Sequence, residues 1–395
     1  ISIDNYVDKH LIPQFKELVD KFKPSVIFSD GDWDFNHKSF RSNEMVQYYY
    51  DVVGEEGIVN DRWGIGFNHG YATPEYSSGI MDKNRPWAEC RGLSRSFALN
   101  RNADLETYLT SEDLIKHFAR LVAAGGGLTI NVGPSADGKI PLLQQERLLD
   151  LGQWIKVNEE AIYGSRPFET VYQNQDMIAN RLDEEINFNW VRNSPSKGVT
   201  EDNFSILWKS NITPTQTDTY TIYLEADEEA GLEIKDDEGK TILRLASQKG
   251  EVKHRVKLKK DHNYTFELSY QEKTHEAVVK LSWECSQFEK QPIKSQWNGE
   301  VSWENTYVCF TKNKGNLYAI SLEPISNSLT FKLDKAPEVG MKVFLLGEKR
   351  IEIPWQYDYE NNKITLDTRE ITPANITTKG AWVFKLDNYI NYIQK

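Results

Sequence analysis

Cysteine is scarce in this chain of 395 residues. The three cysteines, Cys90, Cys285 and Cys309, lie far apart and are odd in number, so neither a disulfide framework nor a zinc-binding spacing can be drawn from them. The seven histidines are scattered and form no HExxH pattern. The sequence therefore predicts no metal site, and nothing in it indicates another cofactor.

Long apolar runs and excess positive charge are also lacking. No run approaches the length of a membrane span, so we expect no membrane insertion. No signal peptide opens the chain, and any targeting segment would lie outside it. The formal net charge of −12 leaves no basic stripe to neutralise phosphates, which argues against nucleic acid and against an anionic membrane surface as partners.

Aromatic residues, by contrast, make up 12% of the chain and include 11 Trp and 19 Tyr. Rings at this density suit the C–H faces of sugars, although many of them belong in cores. The length allows two or three domains. The composition therefore suits a protein that handles carbohydrate.

Helix and strand patterns alternate through the first 168 residues, which predicts an α/β region. Apolar residues recur at helical spacing from Tyr6 to Phe22, where we expect Pro13 to kink the helix or to start its second segment. A capping box, Thr110-x-x-Asp113, precedes another apolar helical pattern. Helices are also predicted over residues 44–53, 110–124 and 142–161, strands over 26–28, 57–60 and 128–132, and a long functional loop over 63–102.

After about residue 170, short alternating strands replace the helices. Residues 173–290 and 297–395 form two such β-rich modules, and their sequences differ from one another. The chain is therefore predicted to be multidomain, with an α/β region at 1–168 followed by all-β domains.

Two acidic residues follow predicted strands in the α/β region. Val26 to Phe28 lead into a turn that carries Asp30, as when a buried parallel strand brings a carboxylate to the mouth of a sheet. A lone Asp in this position is more often a turn or capping residue. Glu75 supplies a second acid, and two carboxylates are the simplest means of breaking a glycosidic bond. Asp30 and Glu75 are therefore predicted to face one pocket.

These acids stand in motifs that resemble, in order, those of the α-L-fucosidases of glycoside hydrolase family 29. The resemblance covers about residues 1–168. It implies a retaining hydrolase that removes terminal α-L-fucose through a covalent fucosyl-enzyme, with fucosylated glycans or glycosides as its substrates. The motifs are residues 25–33, Asn60-Asp61-Arg62-Trp63-Gly64, Thr73-Pro74-Glu75-Tyr76, 86–92, Ser96-Phe97, 125–134 and 158–163.

The resemblance also implies roles for single residues. Asp30 matches the nucleophile, and Arg62 matches a residue that hydrogen-bonds the sugar beside it and would keep Asp30 ionised. Phe97 is expected to pack on the methyl group of fucose, and Phe28 to lie at the floor of the pocket. Trp33, together with Trp63 and Trp87, is expected either to stack on the leaving-group sugar or to pack in the core or rim.

Two residues compete for the acid/base role. Glu75 matches the acid/base of some family members, whereas most members have Trp-Glu where this chain has Trp87-Ala88, with Glu89 one residue later. We prefer Glu75, because a shift by one residue on an extended segment turns a side chain to the opposite face. Glu89 is then expected to lie on the rim, paired with Arg91 or Arg85.

The β modules resemble domains that accompany these enzymes. Residues 173–290 resemble the protective-antigen-type β-sandwich, which often binds glycans, sometimes through paired Asp residues and Ca²⁺. This chain has Asp227-Glu228 in place of the Asp pair, so a packing or spacer role is equally supported. Residues 297–395 resemble the C-terminal β-sandwich of the same fucosidases, which buttresses the barrel.

The fold implied is an incomplete (β/α)8-type barrel followed by two β-sandwich domains. A complete barrel takes about 250 residues, and Asp30 matches the middle strand of the family's barrel. We therefore expect the N-terminal half of the barrel to exist as another segment or chain and to be needed for activity, since a half-barrel would expose strand edges and aggregate. An extracytoplasmic location, whether periplasmic, secreted or lysosome-like, is expected by resemblance.

Two other functions stay open. One is a different retaining glycosidase, such as a galactosidase-like relative, against which Phe97 argues because galactose would place a hydroxyl group there. The other is a non-catalytic glycan-binding or scaffold protein with an inert barrel remnant. The presence of Asp30, Arg62 and Glu75 together favours the enzyme.

Overall fold

The computed structural model describes residues 2–31, 33–77, 85–191, 194–196, 198–200, 202–273 and 276–393. The chain divides into two compact units. One comprises residues 1–173 together with 307–395, and the other comprises residues 174–306.

Helices and short strands alternate through the first 165 residues, as the sequence predicts. A π-helical turn (Val7–Leu11) and a 3₁₀ turn (Leu105–Thr107) accompany them. The elements are α1 (Ile3–Tyr6), α2 (Ile12–Phe22), β1 (Val26–Ile27), α3 (Ser42–Val53), β2 (Ile58–Val59), β3 (Ala88–Gly92), α4 (Ser111–Ala123), β4 (Gly127–Asn131), α5 (Leu142–Val157) and α6 (Glu159–Ile162).

The strands of this region pair in parallel and in chain order. β1 pairs with β2, and β3 pairs with β4. Residues 71–75 form a further extended segment between them, with parallel bridges to Asn60 on one side and to Trp87 and Cys90 on the other. Because neighbouring parallel strands end at the same edge, the residues that follow them meet there. This part of the fold is a partial α/β barrel.

Local sequence signals explain two helix starts. Pro13 lies in the first turn of α2, where its missing N–H leaves no hydrogen bond unmade. The π-helical turn ends just before it, so Pro13 starts a second helical segment, as expected. At α4, the Thr110 hydroxyl accepts from the Asp113 N–H at 3.1 Å, which confirms the capping box.

One strand lies inside the segment predicted to be a loop. β3 has the sequence Ala-Glu-Cys-Arg-Gly, which contains no apolar run and therefore gives no strand signal. Its charged residues, Glu89 and Arg91, alternate with Cys90 and form an ion pair at 3.6 Å. The pairing satisfies charges that would otherwise be costly to bury.

The unit at 174–306 is a β-sandwich. One antiparallel sheet has the order β10-β9-β12-β7-β15, and the other has β11-β8-β13-β14 with β6 beside β13. Alternate residues of β7, including Phe204, Ile206 and Trp208, are buried between the sheets. The strands are β5 (Arg166–Asp183), β6 (Asn187–Val191), β7 (Phe204–Ile212), β8 (Asp218–Ala226), β9 (Glu229–Lys235), β10 (Thr241–Ser247), β11 (Gly250–Leu258), β12 (Tyr264–Glu272), β13 (Ala277–Cys285), β14 (Phe288–Pro292) and β15 (Trp297–Asn313), of which β5 and β15 also continue into the other unit.

In the unit that holds the barrel strands, the C-terminal residues lie in two sheets. From residue 308, β15 takes part in the strand order β15-β16-β22-β18-β19, and β17-β21-β20 form a separate sheet. Trp154 of α5 is fully buried, and its indole N–H donates to the Ala381 carbonyl at 2.7 Å, which joins the helices to this module. The elements are β16 (Asn316–Ser321), β17 (Ser328–Lys332), β18 (Val343–Leu345), β19 (Ile351–Glu352), β20 (Trp355–Asp358), β21 (Lys363–Asp367), β22 (Trp382–Leu386) and α7 (Tyr389–Ile393).

Candidate active site

The end of β1 is held by the side chain of a residue that follows β2. Asn60 is fully buried. Its Oδ1 accepts from the Ser29 N–H at 2.8 Å, and its Nδ2 donates to the Ser29 carbonyl at 2.7 Å. Both backbone polar groups of Ser29 are therefore satisfied by one side chain. This fixes the chain immediately before Asp30, so the carboxylate emerges at a defined place.

Arg62 lies at the centre of the predicted site. Its Nη1 donates to Asp30 Oδ1 at 3.1 Å and lies 2.6 Å from Glu75 Oε1. Only 12% of the Arg62 side chain is exposed, against 57% for Asp30 and 40% for Glu75. A half-buried guanidinium thus lies beneath two carboxylates that remain open to solvent. The structure brings Asp30, Arg62 and Glu75 together, although they come from three different strand ends.

Thr73 orients the guanidinium from the other side. Arg62 Nε donates to Thr73 Oγ1, and Nη2 donates to the Thr73 carbonyl, both at 2.9 Å. The Thr73 hydroxyl in turn donates to Asp61 Oδ1 at 2.7 Å, so its lone pair is left for Arg62. Asp61 also forms an ion pair with Arg85 at 3.1 Å. Arg62 is therefore held in one orientation by partners that sequence reasoning did not identify.

The electrostatics of the cluster follow from its burial and its charges. Burial by itself lowers the pKa of Arg62, but the hydrogen bonds to Asp30 and Glu75 outweigh it, and the pKa lies above its ordinary value. Cys90 interacts electrostatically with the same three residues, and burial raises the pKa of its thiol.

Three of the predicted substrate-binding aromatic residues are exposed to solvent. The Phe28 ring is 42% exposed, and the Arg62 guanidinium carbon lies 5.4 Å from its centroid. Phe97 is 37% exposed and packs edge-on against Tyr76, with ring centroids 5.2 Å apart. The Phe97 carbonyl accepts from the Asn131 side chain at the end of β4. Trp33 is 65% exposed. These three rings are therefore accessible to a ligand.

Two predicted substrate-binding aromatics lie in the core. Trp87 is 5% exposed and packs with Ala72 and Leu121. A Cβ atom on Gly126 would come within 2.3 Å of the Trp87 ring, so this position requires glycine. Trp63 is 6% exposed, and its indole N–H donates to the Asn60 carbonyl. Of the two alternatives for these residues, the structure supports packing.

Glu89 does not lie on the rim. It is fully buried, where the sequence predicted an exposed position, and it contacts His117 of α4 and Arg91. The expected pairing with Arg91 is present, but the location is wrong. The cause is strand alternation: Glu89 and Arg91 lie two residues apart on β3 and so share one face, and the contact between Glu89 and His117 places that face towards α4.

Within the part of the chain that the structure describes, no group of three or more His, Cys, Asp and Glu side chains is placed to hold a metal ion. Among those same residues, no helix combines the length and the apolar character that crossing a membrane requires.

Comparison with known sequences matches two parts of the chain to families. Residues 2–160 match the family described as alpha-L-fucosidase, and residues 162–297 match the PA14 domain. An alpha-L-fucosidase of Branchiostoma floridae is 35% identical over 165 residues, which are 40% of this chain and 36% of that relative. The plasma alpha-L-fucosidase of Rattus norvegicus is 37% identical over 160 residues, 38% of this chain and 35% of that relative. The chain thus spans about a third of the curated relatives it matches.

Solved structures resemble the chain over nearly its whole length. An alpha-fucosidase of Thermotoga maritima in complex with a mechanism-based inhibitor has a TM-score of 0.52 at 20% identity, covering 97% of this chain and 56% of that one. Alpha-L-fucosidase isoenzyme 1 from Paenibacillus thiaminolyticus has a TM-score of 0.53 at 14% identity, and the match covers 98% of this chain and 62% of that one. At these identities the likeness establishes the fold.

Proposed function

From the premise that residues 2–160 are a partial α-L-fucosidase catalytic region and residues 162–297 a PA14 domain, we propose that this protein is a retaining exo-α-L-fucosidase. In this proposal Asp30 is the nucleophile, Glu75 is the acid/base, and Arg62 holds both. The substrates are glycans or glycosides that end in α-L-fucose.

The observation that carries the proposal is the shared contact at Arg62 Nη1. Asp30 Oδ1 lies 3.1 Å from this nitrogen and Glu75 Oε1 lies 2.6 Å from it, so the two oxygens are at most 5.7 Å apart, the sum of the two distances. Retaining glycosidases hold their carboxyl groups roughly 5 to 5.5 Å apart, and inverting enzymes roughly 6.5 to 9.5 Å. For this pair of oxygens, the limit lies near the retaining spacing and below the inverting range.

The proposed chemistry has two steps. Asp30 attacks the anomeric carbon while Glu75 donates a proton to the departing oxygen, which gives a fucosyl ester of Asp30 and the free alcohol. Glu75, now a carboxylate, removes a proton from water, and the resulting attack on the anomeric carbon releases fucose and restores Asp30. Proton donation requires a protonated Glu75, so its ion pair with Arg62 must open when the sugar enters between them.

The exposed rings suit the parts of fucose that are apolar. We propose that Phe97 packs on the 6-deoxy methyl group and that Phe28 lies under the sugar beside Arg62. Trp33 is available to stack on the leaving-group sugar. Trp87 and Glu89 are buried and take no part in binding under this proposal.

The exposed edge of β1 supports the expectation that further barrel strands are needed. Val26 on this strand is 50% exposed, Ile58 on β2 is 49% exposed, and Phe22 at the end of α2 is 67% exposed. In the described residues β1 pairs only with β2, and exposed apolar side chains beside an unpaired strand edge favour a further strand there. We propose that a segment completing the barrel covers this edge in the active enzyme. Since the matched relatives include a plasma fucosidase, we also propose an extracytoplasmic location.

The first test compares substrates. The natural full-length protein is mixed with an aryl α-L-fucoside and an aryl β-D-galactoside, and release of the aryl alcohol is followed. We expect cleavage of the fucoside. Preferential cleavage of the galactoside would replace the proposal with the galactosidase-like alternative. Cleavage of neither would leave the non-catalytic glycan-binding or scaffold function.

The second test assigns the carboxylates. Asp30→Ala is expected to lower kcat by roughly 1,000-fold or more, and azide should restore turnover with a fucosyl azide as product. Azide should also rescue Glu75→Ala with an activated substrate, but not Glu89→Ala. Asp34→Ala, an exposed acid on the same loop as Asp30, is the matched control and should retain activity. Rescue of Glu89→Ala in place of Glu75→Ala would overturn the acid/base assignment.

A further inference from the structure

Three ionisable side chains are buried together between β3 and α4. Glu89 is fully buried, and the side chains of Arg91 and His117 are each 13% exposed. One carboxylate oxygen of Glu89 contacts His117 Nε2, and the other lies 3.6 Å from Arg91 Nη1. Arg91 Nη1 also lies 3.3 Å from His117 Nε2. Replacing a buried ion network by well-packed apolar side chains is often neutral or stabilising, so a gain in stability is a weak explanation for this network.

The network ends on Tyr76, the residue that follows Glu75. The Arg91 guanidinium carbon lies 5.4 Å from the centroid of the Tyr76 ring, within the range of a cation–π interaction. Because Glu89 pairs with Arg91 and is itself in contact with His117, the guanidinium has little freedom to leave the ring.

Tyr76 is held in a backbone conformation that a tyrosine rarely adopts. Its φ is +45°, in the left-handed region, which is unfavourable for a bulky side chain and needs support from its surroundings. The Tyr76 hydroxyl donates to the Ser94 carbonyl and accepts from the Gly92 N–H, both at 3.2 Å. The Tyr76 N–H donates to the Cys90 carbonyl, also at 3.2 Å. The turn in the chain directly after Glu75 therefore depends on the Tyr76 side chain.

We propose that Glu89, His117 and Arg91 are positioning residues that act through Tyr76 on the acid/base Glu75. Tyr76 also packs against Phe97, so the same support reaches the ring proposed to contact the fucose methyl group. The inference rests on the proposed function of Glu75. It assigns Glu89 a role behind the sheet, in place of direct contact with the substrate.

The test uses the dependence of the rate on the leaving group. A series of aryl α-L-fucosides whose phenols differ in acidity is hydrolysed by the natural full-length protein and by its Glu89→Gln and Tyr76→Phe variants. A misplaced proton donor slows substrates that need protonation and spares those that do not. We expect kcat/KM for the least acidic phenol to fall roughly 10- to 100-fold in both variants. For the most acidic phenol, the change should stay within about threefold.

The matched control is Glu160→Gln, which removes another ion-paired carboxylate of the same unit. Glu160 pairs with Arg350 and Lys385 and has no contact with Tyr76 among its described partners. A general loss of stability would lower the rates of all substrates together in this variant and in Glu89→Gln. Equal loss across the series in Glu89→Gln and Tyr76→Phe, or no loss, overturns the inference. Formation of fucosyl azide by Glu89→Gln would do so too, because it would make Glu89 the acid/base.

A crystal structure of each variant separates this inference from the proposed function. In crystals of Tyr76→Phe and Glu89→Gln grown without substrate, we expect the Glu75 carboxylate to lie further from Arg62 Nη1 than the 2.6 Å of the native chain. An unchanged distance in both variants refutes the positioning role even if the protein is a fucosidase. If the native protein cleaves no fucoside, the proposed function fails, and the distance still decides whether the network positions Glu75.

Discussion

Glu272 on β12 is a buried acid whose titration should make the β-sandwich unit less stable as pH rises. It is 1% exposed. Its Oε2 accepts from the Tyr270 hydroxyl, and its Oε1 has no hydrogen bond among the described residues. Burial raises the pKa of Glu272 to about 7, the Tyr270 hydrogen bond opposes this, and Asp227 and Glu228 nearby add to it.

The direction of the pH dependence follows from the number of protons that the folded and the unfolded chain bind. The carboxyl group of Glu272 has its ordinary pKa of 4.5 in the unfolded chain and a pKa of about 7 in the folded chain, so between these pH values only the folded chain holds the proton. The free energy of unfolding is therefore highest below pH 4.5 and falls as the pH rises towards 7. At 1.36 kcal/mol per pKa unit, the shift corresponds to about 3 kcal/mol lost by pH 8.

The perturbation is Glu272→Gln, measured by calorimetric unfolding of the full chain at pH 5 and pH 8. The neutral amide does not titrate, so the variant should be about 3 kcal/mol more stable than the native chain at pH 8 and nearly equal to it at pH 5. Glu300→Gln, which replaces an exposed acid on β15, is the control, and its stability relative to the native chain should be the same at both pH values. A stability difference that is the same at both pH values would refute the reasoning.

Three further substitutions test other parts of the structure. Arg62→Lys removes the two guanidinium N–H groups that donate to Thr73, so kcat/KM for an aryl fucoside should fall roughly 100-fold. An unchanged kcat/KM would contradict the role of the guanidinium. Gly126→Ala places a Cβ atom 2.3 Å from the Trp87 ring. Thermal unfolding should report a free energy of unfolding lower by about 1 to 3 kcal/mol. An unchanged free energy would mean that the ring can move. Glu160→Gln weakens the ion pairs with Arg350 and Lys385, of which Lys385 is only 9% exposed. Urea unfolding in buffer of low salt should therefore report a free energy of unfolding lower by about 1 to 3 kcal/mol. An unchanged free energy would mean that solvent replaces Glu160.

The elements that local chemistry determines were predictable from the sequence. Pro13 and the Thr110 capping box mark helix starts because each acts within one turn of chain. The acids Asp30 and Glu75 were predicted to share a pocket, and the structure places both at Arg62. These predictions needed only a motif and the direction of a parallel strand.

The elements that depend on contacts distant in the sequence were not predictable. β3 lacks an apolar run because the residues facing α4 are charged, and their partner His117 lies 28 residues further along the chain. Thr73 stands in the predicted motif, but its bonds to Arg62 and Asp61 span 11 and 12 residues, and nothing in the spacing indicates them. Glu89 was misplaced for the same reason, since which face of β3 looks towards α4 is decided by the packing of the whole sheet.

The site therefore depends on the order in which the strands pair. Asp30 follows β1, Arg62 follows β2, and Glu75 lies in the next parallel segment, so each belongs to an adjacent strand. Arg62 in the middle reaches a carboxylate on either side, and Thr73 prevents it from turning towards one of them. A guanidinium on either outer strand would have only one acidic neighbour. The central position of Arg62 is what brings two carboxylates from separate strands into one pair.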